Sequence, residues 1–111
     1  MGLDIHFYSS DHKLETTEDG VTIKRSQAEY LSDIGSLPKE WKIHAYIRED
    51  YFASGGNDDY GFNNIGYDIT HLIPELIQAF SGKECEYLFP LFRKLLWELS
   101  QGKYIIYLGD Y

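Results

Sequence analysis

Eighteen carboxylates, four histidines and one cysteine are the side chains in this 111-residue sequence that could do acid–base, nucleophilic or metal chemistry. Cys85 stands between Glu84 and Glu86, with only Lys83 in opposition, a setting unfavourable to the thiolate that a nucleophile requires. It reads as a small residue near the start of a helix. His6, His12, His44 and His71 show neither helical nor alternate-residue pairing, so no two-histidine metal site is written locally. Asp4 and His6 fall on one face of the first strand, and with His44 they form the set an acid–base pocket would draw on. Asn57, Asp59 and Gly61 alternate as in a calcium loop, but Gly61 stands where a ligand is needed, and the twelfth residue is Asp68 rather than Glu. There is no Gly-x-Ser-x-Gly elbow, no P-loop and no Gly-x-Gly-x-x-Gly turn. The chemistry predicts no catalytic set, no metal and no cofactor.

Charge carries more information. The chain holds 18 acidic and 10 basic residues, net −8. Residues 49–82 include Glu49, Asp50, Asp58, Asp59, Asp68 and Glu75 and no Lys or Arg, which places −6 of the total in one segment. Its centre interleaves these acids with Tyr51, Phe52, Tyr60, Phe62 and Tyr67 and with four glycines. Aromatic side chains give contact area at low entropic cost, and clustered carboxylates steer a basic partner. Asp50, Tyr51, Asp58, Asp59, Tyr60, Phe62 and Asp68 are therefore the expected partner-binding residues. Trp97 joins them because it projects opposite the apolar stripe of its helix. The expected partner is a basic protein, with a second copy of this chain as the alternative. Nucleic acid is not expected, since the basic residues form only the isolated pairs Lys24-Arg25 and Arg93-Lys94 in a strongly acidic molecule. A DNA-mimicking surface is a further alternative.

These residues need a scaffold, and 111 residues suit one compact domain spanning 1–111. With 43% hydrophobic and 16% aromatic residues the chain can bury a core, and one cysteine leaves it without a disulfide framework. No apolar run has membrane-spanning length and no signal-peptide pattern opens the chain, so the expected location is the cytoplasm. Leu3, Ile5 and Phe7 alternate with Asp4, His6 and Tyr8, which predicts a half-buried strand over Met1–Tyr8. Val21–Lys24 reads as a second short strand after the Asp19-Gly20 turn. Residues 36–54 fit either a strand or a helix. The helix is preferred, with Ser36 as cap, Pro38 in the first turn and Gly55-Gly56 as stop. It carries two apolar stripes, Leu37/Trp41/Ala45/Phe52 and Ile43/Ile47/Tyr51. A helix capped by Thr70 is expected to bury Leu72, Leu76, Ala79 and Phe80. A second, over Tyr87–Ser100, is expected to bury Leu88, Leu91, Phe92, Leu95, Leu96 and Leu99 before Gly102 ends it and Lys103–Leu108 forms a strand. The fold class is α+β: a small, mostly antiparallel sheet, including the N- and C-terminal strands, covered on one face by two or three helices.

The opening Met1-Gly2-Leu3-Asp4, the Ile43-His44 pair ahead of aromatics, the Gly55–Gly61 loop and the run Gly66–Phe80 leading into a helix occur in an order that resembles a group of short phage- and prophage-borne proteins. The resemblance implies a helix over residues 38–52 and no particular activity, so no catalytic residue is carried over. In size and acidity the chain is also similar to small immunity proteins of bacterial toxin systems. That likeness implies a non-enzymatic inhibitor.

Overall fold

A computed structural model describes residues 2–56 and 66–110. Four strands form one antiparallel sheet in the order β2-β1-β4-β3, where β1 is Asp4–Ser10, β2 Ser32–Pro38, β3 Tyr67–Asp68 and β4 Tyr104–Asp110. The α+β reading of the sequence holds. The central pair comes from the two ends of the chain, with Asp4 opposite Asp110 and Ser10 opposite Tyr104. Three helices lie among the described residues, α1 (Trp41–Ala53), α2 (Ile73–Ala79) and α3 (Phe89–Ser100), with short 3-10 turns at Arg25–Tyr30, Thr70–Leu72 and Lys83–Leu88.

Period-two alternation decides the two faces of the sheet. Ile5 and Phe7 pair with Gly109 and Tyr107, and all of them point toward the helices. The main core is built there from Phe7 and Tyr107, Ile43, Ile47 and Tyr51 of α1, and Leu91, Phe92 and Leu95 of α3. On the reverse face Ile106 packs with Leu14 and Ile23, with Tyr8 and Leu31 at their margin. The segment between β1 and β2 thus covers the side of the sheet that the helices leave bare.

The boundaries differ from the sequence reading where tertiary pairing outweighs local signals. Ser32–Pro38, taken in part as the start of a helix, is the edge strand β2. It tolerates Pro38 because an edge needs only one row of ladder hydrogen bonds. Its register slips opposite Phe7/Tyr8, where an extra residue bulges the strand. Ser36 therefore caps nothing. Lys39 turns the chain at φ 59°, its N–H donates to the Leu3 carbonyl, and α1 starts at Trp41. Gly55, at φ 109°, ends it where the sequence indicated. Of the two stripes on α1, Ile43/Ile47/Tyr51 is buried, while Trp41 is 49% exposed. Val21–Lys24 forms two isolated bridges, Thr16–Ile23 and Thr22–Tyr67, instead of a strand. Thr70 begins a 3-10 turn instead of capping a helix, and Ala79 is exposed. In α3, Leu91, Phe92 and Leu95 are buried as the periodicity requires, but Leu96 is 47% exposed.

Candidate functional site

The C-terminal half of α1 is tied to the sheet by two hydrogen-bonded groups, which flank the points where the chain leaves at Gly56 and returns at Gly66. Tyr51 is fully buried, and its ring lies edge-on to Tyr67 at 5.3 Å between centroids. Its hydroxyl meets Thr22 Oγ1 at 2.6 Å. Thr22 donates its own proton to Asp19 Oδ2, so Tyr51 must donate to Thr22. Asp19 Oδ1 accepts further from the N–H groups of Val21 and Thr22, both at 2.8 Å, and from Thr17 Oγ1 at 2.9 Å. Partial burial works against the Asp19 charge, but these donors outweigh it and hold its pKa down to about 2. Gly56 lies directly on the Tyr51 ring, where a Cβ would fall 2.3 Å from Cζ. Only glycine fits that approach.

The second group centres on Asp50. Its Oδ2 accepts a short hydrogen bond from the Tyr67 hydroxyl and one of 2.9 Å from His71 Nε2. Ser54 Oγ lies 3.2 Å from the same phenol oxygen. Burial, then the hydrogen bond to Asp50 and its negative charge, push the Tyr67 phenol well above its ordinary pKa. Because the Asp50 carboxylate can only accept, Nε2 of His71 is the nitrogen that donates to it. No Ser, Thr or Cys among the described residues hydrogen-bonds to His71, so this half of a triad lacks a nucleophile. Asp68 is half-buried and accepts from Thr70 N at 2.9 Å and from Thr70 Oγ1 at 2.6 Å. Thr70 Oγ1 in turn accepts from Ile105 N, fastening the turn to β4.

Beside Asp50, α1 and α2 enclose an open depression of about 270 Å³ lined by Tyr46, Glu49, Asp50, Ala53, Leu72 and Glu75. Its lining includes three acidic residues and no Lys or Arg. Among the described residues no group of three or more His, Cys, Asp or Glu is arranged to hold a metal ion.

The structure scatters some of the residues singled out from sequence and gathers others. Asp58, Asp59, Tyr60 and Phe62 lie outside the described residues. Asp50 is at the site; Tyr51 is completely buried and serves the scaffold, not a surface. Asp68 is engaged with its own turn. Trp97 is 60% exposed, with exposed Leu96 beside it on α3. The trio Asp4, His6 and His44 is separated: Asp4 and His6 sit on the reverse face of the sheet, opposite Asp110 and Leu108, whereas His44 is buried on the helix face. There Tyr107 Oη lies 2.8 Å from His44 Nδ1, and the ring covers Gly109 so closely that a Cβ would lie 2.6 Å from it. Burial, reinforced by the Arg48 charge, lowers the His44 pKa to about 4. His71 is the residue that sequence reasoning passed over, because its partner Asp50 is 21 positions away and only the fold joins them. Glu49 and Glu75 contributed to the charge count; their shared depression follows from α1 packing beside α2.

No family model, no curated protein and no solved structure matches the chain.

Proposed function

We propose that the chain is a non-enzymatic acidic binding protein that masks a basic surface of a partner protein, as immunity, antitoxin or anti-defence inhibitors do. The observation that carries this reading is the depression lined by Glu49, Asp50 and Glu75 together with Tyr46, Ala53 and Leu72, with no basic residue among them. Glu49 and Glu75, both exposed, suit pairing with the charge of a Lys or Arg side chain, Asp50 adds its negative charge from its bonds to Tyr67 and His71, and the aromatic and aliphatic lining suits the methylene stem. The sequence of residues 57–65, with Asp58, Asp59, Tyr60 and Phe62, adds the same chemistry next to it along the chain. Trp97 supplies a further candidate anchor on α3.

The test is association kinetics with the basic protein captured from the native host at low ionic strength. Glu49 and Glu75 are exposed, so Glu49→Lys/Glu75→Lys leaves the fold intact. It is expected to reduce the association rate by about tenfold at low salt, with the difference vanishing at high salt. An association rate unchanged at low salt would show that this face does not steer the partner.

A further inference from the structure

The outward side of α3 carries a charge opposite to that of the molecule. Residues 87–97 hold Arg93 and Lys94 and no Asp or Glu, in a chain of net −8. Both cations are exposed, and neither forms an ion pair with any described residue. Trp97 lies four positions beyond Arg93 and three beyond Lys94, and Leu96 lies three beyond Arg93. Those spacings make side chains neighbours on a helix surface. Leu96 and Trp97 are exposed, while Leu91, Phe92 and Leu95 bury the opposite side of the helix. An apolar patch flanked by cations suits an acidic surface with apolar area of its own. The exposed Trp41 and Tyr87 lack this selectivity: Glu40 and Glu84 line their depression along with Lys39 and Lys42, and Glu40 accepts from the Tyr87 hydroxyl.

The molecule itself carries the complementary surface. The depression between α1 and α2 offers exposed Glu49 and Glu75 beside Tyr46 and Ala53, with no Lys or Arg in its lining. We propose that the α3 face of one copy docks on this depression of a second copy, Arg93 and Lys94 pairing with Glu49 and Glu75 and Trp97 packing on the apolar lining. The two patches share no residue, so the contact is head-to-tail and adds further copies unless a ring closes. This rests on the reading of the depression as a receptor for basic side chains and gives it a regulation: a docked copy covers the carboxylates that a basic partner needs, so the two compete. Net charge −8 opposes contact between copies, but at about 0.1 M salt a charge acts over about 10 Å. That reach is short against a molecule of 40 × 33 × 23 Å, so facing pairs act while distant charges are screened.

The experiment is analytical ultracentrifugation of the whole chain from about 10 μM to about 1 mM, at about 0.1 M and about 1 M salt. The average mass is expected to rise with concentration at the lower salt, with a Kd of about 0.1–1 mM, because a few exposed ion pairs and one aromatic anchor make a weak contact. It should fall back at the higher salt. Glu49→Gln/Glu75→Gln and Arg93→Gln/Lys94→Gln, all at exposed positions, should each weaken self-association about tenfold. An equal mixture of the two variants should associate as tightly as the natural chain yet stop at a dimer, since only one working α3 face and one working depression meet in it. A natural chain monomeric at every concentration, self-association undiminished in the Glu49→Gln/Glu75→Gln variant, or a mixture no more associated than its components would each overturn the proposal. A monomeric chain whose captured basic partner is still steered by Glu49 and Glu75 overturns self-docking alone. The mixed dimer without such steering supports self-docking and overturns the masking reading alone.

Discussion

Acidification from pH 7 to pH 5 should destabilise this protein chiefly through His44. An unfolded histidine takes up its proton near pH 6.5, whereas the folded His44 does so only near pH 4. Burial against Gly109 and Tyr107, together with the Arg48 charge, disfavours the imidazolium. Above pH 6.5 both states are neutral at this site and it adds no pH dependence. Between 6.5 and 4 the unfolded state holds the extra proton, so stability falls as pH falls, with a limiting slope of about 1.4 kcal/mol per pH unit. Integrating between the two pKa values gives a loss of about 2 kcal/mol from pH 7 to pH 5 and about 3 kcal/mol by pH 4. The low pKa of Asp19 acts in another window: its stabilisation is complete above the unfolded value of 3.8 and is lost only as pH drops toward 2. The assay is urea unfolding at closely spaced pH values for the natural chain and for His44→Gln. The variant should be less stable at pH 7 and should lack the slope between pH 6.5 and 4. A variant that keeps the full slope would refute the assignment, because the proton uptake would then belong elsewhere.

Two further perturbations probe the scaffold under the site. Gly56→Ala drives a methyl group into the buried Tyr51 ring and disturbs its bond to Thr22, so a loss of about 2–4 kcal/mol is expected in chemical denaturation; a loss under about 0.5 kcal/mol would contradict the contact. Leu95→Ala and Trp97→Ala separate core from surface on one helix: the first should cost about 2–5 kcal/mol and the second less than about 0.5 kcal/mol, so equal losses would mean that Trp97 is packed after all.

What the sequence reveals and conceals follows from where each element gets its definition. β1 was legible because alternation of apolar residues is a local record of a half-buried strand, β4 because Tyr-Ile-Ile-Tyr-Leu after Gly102 is a run of residues with strong strand preference, and α3 because Leu91, Phe92 and Leu95 repeat at helical spacing. β2 was not, because Ser-Asp-Ile-Gly-Ser-Leu-Pro has little strand preference of its own and owes its conformation to pairing with β1. The two stripes of α1 are equivalent on a helical wheel, and packing chose the one that ends on Tyr51. At the site, Asp50 emerged from counting charge, but the bonds that give it a role come from Tyr67 and His71 on the far side of residues 57–65. A bond between residues 21 positions apart leaves no periodic trace. Asp4, His6 and His44 show the converse: chemical aptness in sequence with no common location, since strand alternation sends the first two to one side of the sheet and α1 carries the third to the other.

The central pairing of β1 with β4 has a consequence for how the chain reaches this state. A ribosome must reach β4 before β1 can acquire its second neighbour, so until then β1 can pair only with β2. Until then Ile5 and Phe7 lack their Gly109 and Tyr107 partners, and the unpaired edge of β1 is open to other strands. Closing so long a loop late makes assembly slow relative to a helical bundle of the same size. The window between synthesis and closure is where this protein is most exposed to misassociation.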